Sequence, residues 1–182
     1  MSKYYDNLIQ RVIDNSTSNN WNEAVLEWNV IDCIEDDRCL SSCICGKEEI
    51  KYLFTIKNRI NRKTLFPIGS SCIRKFQVEE LNDEVRIWEQ EYNLLHAIER
   101  NEFITLKGGL FSRKLLKRLY DENVFKPSSY NNNVPYNDYK FLLDMFNKKE
   151  ITEKQEKRCK AIILNVIKPY MKEKLKIKNK TN

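Results

Sequence analysis

Four of the six cysteines in this 182-residue chain stand where they could share a metal ion. Three lie in a knuckle, Cys39-x3-Cys43-x-Cys45-Gly46, and the fourth follows about one hairpin later in Ile68-Gly69-Ser70-Ser71-Cys72. Thiolates in two short groups are the donor set of a tetrahedral structural zinc site. Gly46 allows a tight backbone turn next to Cys45, so that main-chain amides can face the sulfurs. The turn is necessary, because two cysteines one residue apart point to opposite sides of a regular strand. Cys39, Cys43, Cys45 and Cys72 are therefore the expected ligands. Cys33 competes with Cys39 for the fourth place, and His96 is a remote alternative. Cys159 falls on a helical pattern far from the cluster and reads as core.

The same inventory argues against catalysis. Four thiolates close a zinc shell and leave no position for water. A nucleophilic cysteine needs a histidine partner, and the single histidine, His96, sits among Leu94, Leu95 and Ala97 in a helical stripe. Glycine-rich phosphate loops and paired carboxylates are missing from the sequence. The expected protein is not an enzyme.

The knuckle has to be held by the elements around it. Apolar positions at helical spacing predict a helix over 3–14, and a second, short one over Trp21–Leu26. Asn29–Ile34 reads as a strand running into the cysteines. Ile50–Ile56 and Thr64–Ile68 read as the two strands of a hairpin with a turn at Asn58–Lys63, and Pro67 confines the second to an edge. Cys72 is expected in the first turn of a helix opening at Ser70 or Ser71, where amides and helix dipole favour a thiolate. Leu81, Val85, Trp88, Tyr92, Leu95 and Ile98 predict a long helix over Gln77–Glu102. Further helices are expected over Ser112–Tyr120, Asp138–Phe146 and Thr152–Ile177. The last opens with a Thr152-x-x-Gln155 capping box and is kinked by Pro169. Lys126–Asn137, with two prolines, reads as a linker.

These elements give an α+β protein: a small zinc-stabilised, treble-clef-like hairpin module over 28–76, N-terminal helices over 1–27, and a helix-rich portion over 77–182. All of it is short enough to form one compact unit. No apolar run reaches membrane-spanning length, and the amphipathic N-terminus lacks a signal-peptide core. A reducing, cytoplasmic setting is the expectation, with the thiols free for metal.

The net charge of +6 is uneven. From Lys148 onward the chain carries 12 Lys/Arg against 4 Asp/Glu. Basic residues also cluster on the hairpin (Lys57, Arg59, Arg62, Lys63), after the last cysteine (Arg74, Lys75) and over Arg113–Tyr120. Such patches suit contact with DNA or RNA, driven by phosphates and sensitive to salt, or with an acidic protein surface. Acidic stretches at Glu79–Glu84 and Glu89–Glu91 could stand in for phosphates.

Cys43-Ile44-Cys45-Gly46-Lys47, Ile56-Lys57-Asn58 and Ile68-Gly69-Ser70-Ser71-Cys72-Ile73-Arg74-Lys75-Phe76 together resemble a group of small phage and mobile-element proteins. These carry a C-x-C-G knuckle, an I-x-N strand end and an [IV]-G-S-x-C-I segment. The resemblance covers about residues 21–76. Asp138-Tyr139-x-Phe141-Leu142 and Thr152 through Tyr170 also look like the tail of such proteins. Proteins of this kind and size further resemble the type II anti-CRISPR proteins. That resemblance implies a phage-encoded counter-defence role in the host bacterial cell: binding and inhibition of Cas9, or of another defence nuclease, without catalysis. The alternative is a phage DNA-binding accessory protein with a structural zinc.

Overall fold

A computed structural model describes the backbone of residues 2–181 and the side chains of residues 2–174. The chain is α+β and divides into two units, Met1–Glu89 and Gln90–Asn182. The helices expected over 1–27 and the module expected over 28–76 belong to the same unit. No helix among the described residues is long and apolar enough to cross a membrane.

In the first unit, α1 (Lys3–Asp14) and α2 (Trp21–Ala24) precede a three-stranded antiparallel sheet. Its strands are β1 (Trp28–Glu35), β2 (Tyr52–Asn58) and β3 (Thr64–Ile68), in the order β1-β2-β3. The expected hairpin is thus β2-β3, and β1 adds a third strand to it. Pro67 lies on an edge strand, where its missing N–H costs no ladder bond. The β1–β2 register slips between Val30 and Asp32, and Ile31 at the slip is half exposed. Leu8 and Val12 of α1, Trp28, Phe54, Ile56 and Ile68 of the sheet, and Ile73 beyond it are fully or almost fully buried. After β3 comes the short helix α3 (Ser70–Arg74), capped by Gly69 with no side-chain bond; neither Ser70 nor Ser71 is the cap. Next is α4 (Glu79–Glu99), and the boundary between the units falls within it.

The second unit is helical: the end of α4, then α5 (Arg113–Asp121), α6 (Pro135–Asn147), α7 (Glu153–Ile162) and α8 (Lys168–Thr181). Leu94, Leu95, Leu115, Leu116, Leu119, Leu142, Ile163, Ile167 and Met171 bury its apolar stripes. Cys159 is among the buried residues, as its place on the helical stripe implies.

Two local features differ from the expectation. Lys126–Asn137 is no slack linker. Ser128 and Asn131 form a reciprocal capping box there, and Asn131 also donates to the buried carboxylate of Asp138 at 2.8 Å. The last helix carries a π turn, Ile163–Ile167, between α7 and α8 just before Pro169. Proline cannot donate the bond its position demands and crowds the carbonyl four residues back, so a widened turn absorbs it. The capping box opening α7 is present, with Gln155 N–H on Thr152 Oγ1 and Thr152 N–H on Gln155 Oε1.

Candidate metal centre

Cys43 and Cys45 reach one another through a tight turn, as the sequence required. The N–H of Gly46 donates to the carbonyl of Cys43 at 2.8 Å, and the N–H of Cys43 to that of Lys47 at 2.8 Å. Gly46 has φ of +90°, a conformation side-chain-bearing residues rarely adopt. The turn is pinned on two sides. Asn7 of α1 donates to the Cys45 carbonyl, and the Ile44 N–H donates to the Pro67 carbonyl at the end of β3. Cys72 arrives from the first turn of α3, the place expected for it.

The three sulfurs converge in the core. Cys43, Cys45 and Cys72 are 4%, 1% and 3% exposed. Cys72 Sγ lies 3.6 Å from Cys43 Sγ and 3.4 Å from Cys45 Sγ, and all three atoms are within 4.8 Å of one another. These separations exceed the ~2.05 Å of a disulfide, and all six cysteines are free. They approach the ~3.8 Å sulfur–sulfur edge of a tetrahedron built on metal–sulfur bonds of ~2.3 Å. The cluster can hold a metal ion.

The pairing sets two of the thiols apart. A hydrogen bond with Cys72, opposed by burial and joined by the Gly69 N–H at 3.3 Å from the sulfur, holds Cys43 far below the usual thiol range. Cys72 is pushed up, first by that same pairing with Cys43 and then by burial. The opposite shifts of Cys43 and Cys72 are what two close, like groups give when only one of them ionises readily.

Cys39 and Cys33 stand outside the converging group. The loop before the knuckle satisfies itself. The carboxylate of Asp36 accepts from the amides of Arg38, Leu40 and Ser41 and from Ser41 Oγ, at 2.7 to 3.1 Å. The bond from the Ser41 hydroxyl, with the backbone bonds outweighing burial, keeps Asp36 below its ordinary range. Within that loop Cys39 has φ of +52° and lines a neighbouring cleft with Arg38, Leu40, Ser42, Glu48 and Glu49. Cys33 is buried in β1, opposite Phe54 of β2. His96 lies on α4 in the second unit, 3.2 Å from Glu99.

Most of the basic residues expected at a nucleic-acid face already have partners inside the first unit. Arg59 donates to the Leu26 carbonyl, and Lys63 Nζ lies 3.5 Å from the Asp14 carbonyl. Arg74 pairs with Glu89 at 2.7 Å, and Lys75 sits over the Tyr5 ring at 5.3 Å. Arg62 is exposed and Lys57 half-buried; among the described residues neither side chain has a polar partner. The lysines at 176, 178 and 180 of the basic tail lie outside the described side chains. On the acidic side, Glu79 and Glu80 are exposed, but Glu91 is 1% exposed and is no surface mimic of a phosphate.

Two carboxylates whose buried roles sequence reasoning missed, Glu27 unassigned and Glu91 read as surface, organise the units. Glu27, 6% exposed, accepts from the amides of Thr17 and Ser18 at 2.7 and 2.8 Å and from Asn58 Nδ2 at 2.6 Å. Burial raises its pKa, but the bonds from Asn58, Thr17 and Ser18 win, and the net shift is downward. Glu91 meets Lys174 and Arg118, whose Nε is 3.7 Å from it. Lys174 and Arg118 also reach Glu122 at 3.2 Å each, and Tyr170 donates to Glu122 at 2.7 Å. A charged residue falling on an apolar helical stripe was the available signal for Glu91, which stands next to Tyr92 and three residues after Trp88.

Comparison of the chain with protein-family models, with curated proteins and with solved structures finds no match.

Proposed function

We propose that this chain is a non-catalytic binding protein whose first unit is stapled by a structural zinc ion on Cys43, Cys45 and Cys72. The observation that carries the metal is the convergence of three buried, unoxidised sulfurs where the knuckle meets α3. Thiolates select zinc over hard cations. A knuckle, a β-hairpin and a helix-borne ligand make the arrangement treble-clef-like. Zinc bound there adds folding free energy to the first unit.

The partner follows from the resemblance of residues 21–76 to small phage proteins and from the likeness to type II anti-CRISPR proteins. It is a bacterial defence nuclease, Cas9 in the first instance, met in the host cytoplasm and blocked by occupation of a surface that guide, target DNA or a moving nuclease domain requires. The test is a pull-down of the zinc-loaded protein on Cas9–guide complexes, with and without target DNA, beside a cleavage assay. Retention with suppressed cleavage is the expected result; absence of both ends the Cas9 reading.

A second reading, a DNA-binding accessory protein, is supported by Arg62 and Lys57, which are not engaged by described residues of the chain. It predicts DNA affinity in isolation that falls steeply with salt. Internal pairing of Arg59, Lys63, Arg74 and Lys75 counts against it.

A further inference from the structure

Beside the three sulfurs lies a cavity of about 150 Å³, with Cys43 and Cys72 in its wall. Lys47, Glu49, Lys51 and Ser70 line it too. We propose that the metal centre is a three-thiolate site whose fourth position opens into this cavity and takes a small exogenous thiolate. The proposal rests on the metal reading above and adds the identity of the fourth donor.

Three observations carry it. First, the chain brings three sulfurs together, while a tetrahedral zinc ion requires four donors. Second, the two cysteines that could have completed the set lie outside the converging group. Cys39 belongs to a loop whose amides the Asp36 carboxylate already satisfies, and its own N–H donates to the Asp36 carbonyl at 3.0 Å. Cys33 is packed within the sheet at 0% exposure. Third, the cavity has the size and charge for a small anionic donor. A volume of ~150 Å³ is enough for a benzene-sized molecule, and this one is partly open to solvent.

The charge balance points the same way. A divalent ion on three thiolates carries a net charge of −1, and a fourth thiolate makes it −2. Lys47 and Lys51 on the cavity wall offset that charge. Lys51 is also shared with Glu35 at 3.1 Å. The exchange is simple in its balance. The incoming thiol leaves its proton with solvent, its sulfur bonds the metal, and one water departs. Glu49, on the same wall and with φ of +58°, is the internal competitor for the position.

The test uses the full-length protein loaded with zinc under anaerobic, thiol-free conditions, with 2-mercaptoethanol as the probe. Metal analysis comes first, and X-ray absorption then counts the sulfurs around zinc. The expected result is one zinc per chain with three sulfurs and one lighter donor, rising to four sulfurs when the thiol is added. Cys39→Ser should leave both spectra unchanged, and Glu49→Gln should not abolish the response. Four sulfurs before any thiol is added, falling to three in Cys39→Ser, would overturn the proposal by showing that Cys39 closes the site. Three sulfurs that never respond to the thiol overturn it equally. Failure to retain zinc at all is a different result, and removes the metal reading beneath it.

Discussion

The two units hold their centres together by opposite electrostatic means. In the first, three sulfurs, those of Cys43, Cys45 and Cys72, are buried side by side and could be joined by a cation from outside the chain. In the second, Glu91 and Glu122 meet Lys174, Arg118 and Tyr170, and the chain supplies both signs itself. The contrast follows from architecture. In the first unit the knuckle and α3 bring donors of one kind together, and an ion bound there would add to the folding free energy of the apolar core around the sheet. A set of amphipathic helices already buries long stripes, and its internal charges fix which faces meet.

The largest effect should come from Cys72→Ser. Loss of the ion should cost the first unit of order 5 kcal/mol or more. Hydrogen exchange should show lost protection in β1, β2 and β3, with protection in α5 and α6 largely kept. Equal loss in both units would break the comparison. A chelator strong enough to strip zinc from the wild type should reproduce the same map.

Glu91→Ala reverses the roles. It leaves Lys174 and Arg118 with Glu122 as the one carboxylate they still share, at a cost of about 2 kcal/mol. Denaturant unfolding should register that loss with zinc stoichiometry unchanged. A variant that melts like the wild type would mean that the charges of the second unit are ornamental.

Glu27 sharpens the picture within the first unit, because it is a staple that needs no metal. Its folded-state pKa is depressed, so its contribution is present above the ordinary carboxyl value near 4.5 and is lost as pH falls through the folded value. Glu27→Gln should therefore cost about 2 kcal/mol at neutral pH, where three hydrogen bonds to a charged acceptor are weakened. The two proteins should converge in stability under strongly acidic conditions. A constant gap across the whole pH range would assign the effect to packing instead of charge.

Arg62→Ala should change stability by less than about 0.5 kcal/mol, as expected for an exposed side chain. Its value lies in binding. A clear loss of DNA affinity in this variant, with Cas9 retention intact, would separate the two functional readings.

The architecture was largely legible in the pattern of apolar residues. Leu81, Val85, Trp88, Tyr92, Leu95 and Ile98 marked α4, and all six are buried. Pro67 marked β3 as an edge strand, and Gly46 marked the turn that joins Cys43 to Cys45. What the pattern concealed was polar. Cys39 looked like a ligand by spacing, but spacing does not register that Asp36 can gather the amides of the same loop. Ser41, five residues after Asp36, was the only hint. Glu27 and Glu91 were read as surface or ignored, because a buried carboxylate reveals itself only when the donors from distant segments are in place. The basic residues of the hairpin looked free for the same reason, since Arg59 and Lys63 find backbone carbonyls contributed by the N-terminal segments.

The π turn at Ile163–Ile167 works like a frameshift in the helical ruler. A π turn holds one residue more than the α-helical turn it replaces, and each residue of helix advances the side chains by about 100°. Everything downstream, Tyr170, Met171 and Lys174 included, is set in a phase that a plain α-helix of the same sequence would not give. Deleting Asn165, an exposed residue of that turn, would restore ordinary pitch and remove nothing from the core. Because the extra residue and the widened turn would leave together, α8 would keep its phase, with Met171 in the core and Lys174 beside Glu91; tightening the turn with Asn165 kept would instead rotate α8 by roughly a quarter turn.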